Sequence, residues 1–305
     1  MKRKILVLLV ASVLTGIIAY RATRPTRVDA EAPAMTEMVG GEADAMTIDQ
    51  LLDLAETNVS KMSQSLRDYR GTFIKQERDS SGVLGPPTKI QIVARTKFGE
   101  DGDVVPRRVY LKFLEPKDKA GREVIWAQDL YEGQMAVHET TALLSWKTLW
   151  LNPTGMIAMQ GQRYPVSEIG LVRLAEKLVE RGQKLRGRDT VKIIQDRDAE
   201  LDGRPVWRFR IEKLAPDPAP ANNANQDDDD FAVAEVVMDP QRNLLLSYRS
   251  FDWPKSNKSG QSGGNDSASE LPLIESYQYR DVETNVGLSD LDFDVKNPAY
   301  GFPDL

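Results

Sequence analysis

Side chains that commonly carry out catalysis or bind metal ions are scarce in this sequence of 305 residues. It has no cysteine and one histidine, His138, which excludes disulfides, thiolate sites and multi-histidine metal centres. A catalytic triad would have to combine His138 with a serine such as Ser145 or Ser167 and an acid such as Glu123. The Gly-x-Ser-x-Gly pattern occurs at residues 260–264, but this match lies in a polar segment and not at the strand-to-helix turn of a nucleophile elbow, so we interpret His138 as hydrogen-bonded within or beside a sheet. We therefore predict a protein that is not an enzyme, with no cofactor and no metal site.

An acidic run, Asp227–230, could suggest calcium binding. Calcium loops, however, separate their ligands with other residues and contain a glycine turn. Adjacent aspartates repel one another and usually remain solvated. We interpret this run as part of a polar loop.

A group of charged side chains could bind an anion. Arginine pairs bidentately with phosphate or carboxylate, so the group could hold an anionic head group. The same residues could instead form ion pairs between neighbouring strands, and their balance of signs favours this alternative. The polar candidates are Lys75, Glu77, Arg122, Glu123, His138 and Arg163, with Arg78 beside them.

Large apolar side chains recur in the predicted strands and connections. In a closed sandwich they would form the core, whereas on the concave side of a half-barrel they would line a ligand cavity. The sequence leaves both interpretations open. The cavity candidates are Phe113, Trp126, Trp207, Phe209 and Met238, and Trp146 and Trp150 belong to the same group of large apolar residues.

The amino-acid composition limits the classes of molecule that we expect the chain to bind. Hydrophobic residues make up 41% and charged residues 28% of the chain, which is typical of a globular protein. The net charge of -6 gives no general attraction to phosphate backbones, so we predict that nucleic acid is not a partner. Lipids, lipidated molecules and envelope proteins remain as possible partners.

The N-terminus predicts export. Three basic residues at positions 2–4 precede an uncharged apolar run at 5–20, the pattern of a secretory signal. Arg21, Arg24 and Arg27 follow directly and could flank an uncleaved anchor, through which residues 5–20 would contact the membrane. We interpret residues 1–27 as a signal peptide or membrane anchor. The chain would then be periplasmic, or held in the inner membrane facing the periplasm.

Two amphipathic helices and many strands follow. Residues 28–46 lack periodicity and indicate a flexible tether. Thr47 and Gln50 form a capping-box pair at the start of the first helix, and Pro165 and Ser167 introduce the second. The predicted strands are 71–78, 88–98, 108–114, 123–128, 134–140, 148–151, 190–200, 204–214, 231–238, 244–251 and 273–280.

This order of elements predicts a mainly β (α+β) fold. We expect a large curved antiparallel sheet, or incomplete β-barrel, with the two amphipathic helices packed on its concave face. Residues 47–305 would form this single domain. Segments 215–230 and 255–270 are rich in Pro, Asn, Asp, Ser and Gly, so we interpret them as disordered insertions.

Several motifs resemble a known bacterial family. Residues 69–78 (YRGTFIKQER), 109–113 (VYLKF), 121–125 (GREVI) and 163–166 (RYPV) are similar to domain of unknown function 1571, which is frequent among planctomycetes. The resemblance covers residues 47–305 and implies no activity. A weaker likeness is to the periplasmic lipoprotein-localisation carrier (LolA-like) fold, in which an incomplete barrel shelters acyl chains. Long inserted loops and the missing lipobox are departures from that pattern.

Three hypotheses follow for function. The first is non-catalytic binding or transport of a lipid, acyl chain or other amphiphile. The second is a periplasmic scaffold or protein-interaction module with a filled core and no cavity. The third, which we favour least, is a hydrolase that uses His138.

Overall fold

The computed structural model describes residues 46–79, 81–99, 102–216, 230–254 and 271–303. The predicted signal or anchor, almost all of the tether, and the greater part of the two insertions therefore lie outside the described residues. Of the acidic run, only Asp230 is described, and its carboxylate pairs with the buried ammonium of Lys213. No helix in the described part of the chain has the length and apolar character needed to cross a bilayer.

In the part of the chain that the structure describes, eleven antiparallel strands form one sheet that does not close on itself. They are β1 (Asp68–Glu77), β2 (Thr88–Arg95), β3 (Arg108–Glu115), β4 (Glu123–Ala127), β5 (Met135–His138), β6 (Leu149–Leu151), β7 (Val191–Leu201), β8 (Arg204–Lys213), β9 (Val233–Asp239), β10 (Leu244–Phe251) and β11 (Leu273–Thr284). Across the sheet the order is β6-β5-β4-β3-β2-β1-β11-β10-β9-β8-β7. The first and last strands thus pair in the middle, and each half of the chain extends outward from them as a meander.

Local turn chemistry sets these pairings. The β7–β8 hairpin turns at Asp202 and Gly203, whose φ angles are 53° and 73°. Positive φ at both central residues is the turn geometry that matches the twist of two paired strands, and Asp-Gly adopts it readily. The β9–β10 turn ends at Asn243, also with positive φ, and Asp239 accepts hydrogen bonds from the backbone N–H groups of Gln241 and Arg242.

Two α-helices accompany the sheet within the described ranges. Helix α1 (Ile48–Ser65) begins at the predicted capping box, in which Thr47 and Gln50 satisfy each other's backbone amides. Helix α2 (Leu171–Gln183) begins later than Pro165 and Ser167 predict. Those residues instead lie at a single 3-10 turn, Val166–Glu168, and Gly170 (φ 133°) redirects the chain before Leu171. The Leu171 N–H then donates to the buried Tyr69 hydroxyl, at 3.0 Å.

Each face of the sheet has its own apolar cluster. On the concave face, side chains such as Phe73, Ile92 and Phe209 pack with α1 and α2. On the opposite face, the segment after β11 places Phe293 and Phe302 against the outward side chains of β2 to β5. Asp68 fixes this segment by accepting hydrogen bonds from two of its backbone N–H groups, those of Val286 (2.7 Å) and Leu288 (3.0 Å).

The observed architecture confirms the predicted fold class: a mainly β chain with a large unclosed antiparallel sheet and two helices. The covering of the second face by the C-terminal segment was not predicted. Its apolar residues, Phe293, Val295 and Phe302, are spaced without helical or strand periodicity, so no pattern in the sequence indicated that they pack on the sheet.

Candidate functional site

An apolar cavity lies between the two helices and the half of the sheet formed by β8, β9 and β10. Its volume is about 120 Å³ and it is partly open to solvent. The residues that line it are Ile48, Leu51, Leu52, Leu54, Ala55, Asn58, Ala175, Leu178, Arg181, Gly182, Leu185, Phe209, Ile211, Phe231, Ala234, Val236, Met238, Leu245 and Tyr248. Apart from Asn58, Arg181 and the Tyr248 hydroxyl, these side chains are apolar.

Helical and strand periodicity create this lining. Leu51, Leu52 and Ala55 lie on one face of α1, and Ala175 and Leu178 on the facing side of α2. From the sheet, Phe209 and Ile211 project two residues apart on β8, as alternation requires. The helices approach closely at Gly182, where an added Cβ would stand 2.4 Å from the Leu52 side chain.

The volume limits what the cavity can hold in this conformation. It is comparable with the ~150 Å³ of an engineered apolar cavity that binds benzene. A short apolar segment fits such a space. A longer chain would have to extend through the mouth of the cavity or displace a helix.

A buried charged cluster adjoins the cavity on the β11 and β1 side. Its members are Lys75, Glu77, Arg163, Arg181 and Glu275. Arg181 lines both the apolar cavity and a second, smaller cavity that contains Lys75, Glu77 and Tyr277. Glu77 and Glu275 face each other across the β1–β11 pair, so two carboxylates occupy one buried position of the sheet.

Three cations and a tyrosine hold these carboxylates. Lys75 Nζ lies 3.0 Å from Glu77 Oε2, and Arg181 Nη1 lies 2.9 Å from Glu275 Oε1. Arg163 Nε lies 3.3 Å from Glu275 Oε2, while the Arg163 backbone N–H donates to Glu77. The Tyr277 hydroxyl lies 2.7 Å from Glu77 Oε1 and 3.1 Å from Glu275 Oε2. Like charges facing each other would destabilise the strand pair without these partners.

Burial and charge shift the pKa values of this cluster. Burial raises the pKa of Glu77, but Lys75 and hydrogen bonds from Tyr277 and the Arg163 backbone outweigh it, and the net direction is downward. Burial, then Glu275 and Glu77, raise the pKa of Tyr277 well above its ordinary value. At neutral pH the carboxylate of Glu77 is therefore charged and the hydroxyl of Tyr277 keeps its proton to donate.

The predicted polar candidates separate into two groups. Lys75, Glu77 and Arg163 meet in the buried charged cluster. The other candidates, Arg122, Glu123 and His138, lie at β4 and β5 and not in this cluster: Glu123 and His138 face each other across these two strands. Glu123 pairs with Lys112 at 3.1 Å and accepts from the Gly301 backbone N–H at 2.7 Å.

An ion pair accounts for Arg122, whereas His138 is covered by the C-terminal segment. Arg122 pairs with Glu139 at 2.9 Å and lies over the ring of Phe113. Next to Glu123, the imidazole of His138 lies against Gly301 and Phe302, so the C-terminal segment covers it. Within the described structure, the buried Nδ1 of His138 has no hydrogen-bond partner, serine included, so the hydrogen bond we predicted is not seen at this atom.

Two of the five predicted cavity residues line the apolar cavity, namely Phe209 and Met238. Phe113 on β3 and Trp126 on β4 are buried in the same concave core, but on the far side of the central strands. Trp207 is partly buried near the β7–β8 turn, where the guanidinium of Arg197 lies 4.8 Å from its ring. These three residues therefore lie outside this cavity in the structure, and their role in lining a ligand site stays a prediction.

Trp146 and Trp150 neither belong to the core nor line the cavity, the two positions considered for the large apolar residues. Trp146 is 69% exposed, in the turns before β6, and Trp150 on β6 is 36% exposed, with its ring 4.8 Å from that of Tyr131. Leu143, Met156 and Ile157, in the same region, are also exposed. None of these residues belongs to the core or the cavity.

Sequence analysis missed Asn58, Arg181, Glu275 and Tyr248. An asparagine on the apolar face of α1 and an arginine in the last turn of α2 are the signals that could have indicated the first two. No such signal marks Glu275 and Tyr248, which alternate normally in their strands. Among the described residues, no group of three acidic or histidine side chains could hold a metal ion.

Comparisons with known proteins agree with the resemblance found in the sequence. The family described as "Protein of unknown function (DUF1571)" matches residues 66–302. No curated protein matches the chain. A structure of MucB has 12% identity and a TM-score of 0.42; the similarity covers 80% of this chain and 62% of MucB, so the chain spans less than two thirds of that protein.

Two further solved structures are similar at low identity. A DUF1329 family protein from Desulfovibrio piger has 13% identity and a TM-score of 0.36, over 81% of this chain and 97% of that protein. A LolA superfamily protein from Nitrosomonas europaea has 8% identity and a TM-score of 0.29, over 79% of this chain and 97% of that protein. The predicted family is thus confirmed, and a LolA superfamily protein is among the similar structures.

Proposed function

The chain belongs to DUF1571, a family of proteins of unknown function, and we propose that it is an exported, non-catalytic binding protein that holds an amphiphile. The ligand would be a lipid, an acyl chain or a similar molecule, and its apolar part would occupy the cavity beneath α1 and α2. The observation that carries this proposal is the cavity itself, which is apolar over almost its whole lining. Ligand sites are typically apolar clefts with a few placed polar groups.

Energetics favour an occupant. Protein interiors are close-packed, so the apolar side chains around this cavity lack contacts on one side. An apolar ligand would supply those contacts and remove apolar surface from water. The cavity also weighs against the alternative of an interaction module with a filled core.

Export is a separate part of the proposal. It rests on the basic residues at 2–4 and the apolar run at 5–20, which lie outside the described residues. An envelope location would bring the binding domain close to lipids and lipidated proteins.

Extraction of the purified full chain with organic solvent, followed by mass spectrometry, tests the proposed function. A co-purified amphiphile in stoichiometric amount is expected. Titration with the neutral fluorescent probe N-phenyl-1-naphthylamine is the companion measurement, with 1-decanol as competitor. Absence of both a bound lipid and displaceable probe binding would overturn the proposal.

Exposed apolar residues favour a second function, contact with a lipid surface. Trp146, Met156 and Ile157 are each at least 69% exposed, and Leu143 is 62% exposed. Between residues 140 and 162 the only charged residue is Lys147, although the chain as a whole carries a net charge of -6. Tryptophan favours the membrane interface, and lysine is attracted to anionic lipids.

Flotation with phosphatidylglycerol-containing vesicles tests this contact. Trp146→Ser combined with Ile157→Ser should reduce the vesicle-bound fraction of the full chain several-fold, because both exposed apolar groups are lost. Val104→Ser is the matched control, since Val104 is 80% exposed but lies elsewhere. Equal binding of the double variant and the control would contradict the assignment.

A further inference from the structure

We propose that the ligand carries an uncharged hydrogen-bond acceptor, a carbonyl group joined to its apolar part, which the side-chain amide of Asn58 receives in the cavity. This inference rests on the proposed function and names the chemical class of the ligand. Esters, amides and ketones with an apolar chain or ring belong to this class.

Asn58 is a polar residue on the buried face of α1. The other three buried residues of this helix are apolar: Ile48, Leu52 and Met62. Asn58 itself is 7% exposed and lines the cavity, next to the apolar side chain of Ala55. Asparagine forms helices less readily than leucine and supplies fewer apolar contacts. An asparagine at this position therefore weakens both the helix and its packing on the sheet.

The amide of Asn58 contains an unsatisfied donor. Its Nδ2 atom is buried and has no hydrogen-bond partner among the described residues. A buried donor in this state is unfavourable, because its hydrogen bonds to water are lost and not replaced. The last torsion of an asparagine side chain is broad, so rotation about it can turn the NH2 group towards an occupant of the cavity. An acceptor on that occupant would satisfy the donor, whereas a purely apolar ligand would leave it unsatisfied.

The other polar side chains of the lining already have partners in the protein. Arg181 Nη1 lies 2.9 Å from Glu275 Oε1, and Nη2 of the same guanidinium donates to the Tyr164 hydroxyl. The hydroxyl of Tyr248 is hydrogen-bonded with the Ser250 side chain. A carbonyl group costs far less to bury than a charged group, and one amide donor is sufficient to satisfy it. The lining therefore suits an uncharged acceptor.

The two helices set the direction of the ligand. Asn58 is the last residue of α1 that lines the cavity, and Ile48, the first, lies about 15 Å away along the helix axis, at 1.5 Å per residue. The Gly187 backbone N–H donates to Asp49 at 2.9 Å, so the chain just after α2 lies beside the start of α1. A carbonyl group at Asn58 would therefore lie at one end of the cavity, and the apolar part would extend towards Ile48 and Leu185.

Displacement of N-phenyl-1-naphthylamine from the full chain by acetophenone and by α-methylstyrene tests this inference. The two competitors have the same compact shape, but acetophenone has a carbonyl oxygen where α-methylstyrene has a methylene group. In Asn58→Leu, the affinity for acetophenone should fall by about 5-fold or more relative to that for α-methylstyrene, because the carbonyl loses its donor. Affinity for α-methylstyrene reports any change in the size of the cavity, so the ratio of the two affinities isolates the hydrogen bond.

Thermal unfolding separates ligand recognition from a structural role of Asn58. Without ligand, Asn58→Leu should have a midpoint at or above that of wild type, because an unsatisfied buried donor is removed. Asn58→Ala, which adds no bulk, should change the affinity ratio in the same direction. Thr57→Leu, exposed on the same helix, should leave the ratio unchanged. Midpoints far below wild type in both Asn58 variants would assign this side chain a structural role and overturn the inference.

The binding outcomes distinguish this inference from the proposed function. The same affinity ratio in wild type and in both Asn58 variants, or displacement by neither competitor, would overturn the carbonyl acceptor and leave the proposed function standing. A co-purified amphiphile without a carbonyl group would also overturn the inference alone. A wild-type chain that neither binds N-phenyl-1-naphthylamine nor retains an amphiphile would overturn both.

Discussion

Glu77 is a carboxylate that remains charged in the interior of the protein. Its side chain is 7% exposed and is held by Lys75, Tyr277 and the Arg163 backbone N–H. These partners hold its folded-state pKa below the ordinary value of 4.5, against the upward effect of burial. A depressed folded pKa means that Glu77 contributes stability above pH 4.5, and that this contribution is lost as the pH falls through the lower, folded value.

Glu77→Gln should therefore destabilise the protein in a pH-dependent way. At pH 7 we expect the free energy of unfolding to fall by about 3 kcal/mol, because Lys75 would be left buried without its carboxylate. The difference in this free energy between the variant and wild type should shrink as the pH is lowered below 4.5. Urea unfolding at a series of pH values measures this. Glu283→Gln on the neighbouring strand is the control, because its pair with Arg70 is more than half exposed and should contribute little. A difference that stayed constant with pH would contradict our account of Glu77.

Individual site residues were predictable only where the sequence brings their charges together. Lys75 and Glu77 lie two positions apart in the predicted strand 71–78, where alternation puts both side chains on one face, and they form an ion pair. Arg163 was among the predicted polar candidates, but Gln162 and Arg163 lie some 87 residues from Lys75 and Glu77, and Glu275 and Tyr277 about 200 residues away, so no local pattern predicts that these side chains meet. The prediction that Trp207 lines the cavity has the same origin. Alternation along the strand indicates which face of the sheet its side chain lies on, but it does not indicate where the helices pack on that face.

At the level of helices and strands, local sequence patterns were sufficient to predict most of the fold. Asp202-Gly203 and the alternation around it predict the β7–β8 hairpin, and Thr47 with Gln50 predicts the start of α1. The start of α2 was predicted too early because Pro165 and Ser167 are common at helix starts. The contact of Leu171 with Tyr69, 102 residues earlier, fixes where the helix begins, and it is a tertiary contact.

The cap of α1 should matter for both stability and binding. Thr47→Ala removes the hydroxyl that accepts a hydrogen bond from the Gln50 N–H at 3.2 Å, so we expect the free energy of unfolding to fall by about 1 kcal/mol. The first turn carries Ile48, Leu51 and Leu52, which line the cavity, so ligand affinity should fall as this turn frays. Thr57→Ala, exposed in the middle of the helix, should be neutral or slightly stabilising. Equal urea midpoints for the two variants would show that the cap has no such role.

At the scale of the whole molecule, the two long insertions should be dispensable for folding. The strand ends on either side of them are already paired. The Lys213 N–H donates to Ala232 at 2.9 Å, and the Asp252 N–H donates to Pro272 at 2.8 Å. Loop-closure entropy changes slowly with length, so a shorter connection costs little.

Replacement of residues 217–229 or 255–270 by a short Gly/Ser connection should thus leave the thermal midpoint within about 5 °C of wild type. Asp230 must be kept, because it neutralises the buried Lys213. Differential scanning calorimetry provides the midpoint. A decrease of more than about 10 °C would show that the replaced segment packs on the domain.

The cavity is the feature of the whole molecule that no local pattern predicts, since it needs α1, α2 and three strands from separate parts of the chain.

Filling the cavity is the most direct test of ligand binding. Ala55→Leu and Ala175→Leu add apolar volume at the lining, and Thr57→Leu adds the same group to the exposed face of α1. Titration of each variant with N-phenyl-1-naphthylamine should give affinities at least about 10-fold weaker for the two filled variants, and a wild-type affinity for Thr57→Leu. Thermal midpoints at or above that of wild type would show that the filled variants remain folded. Wild-type affinity in both folded, filled variants would contradict the claim that this cavity is the binding site.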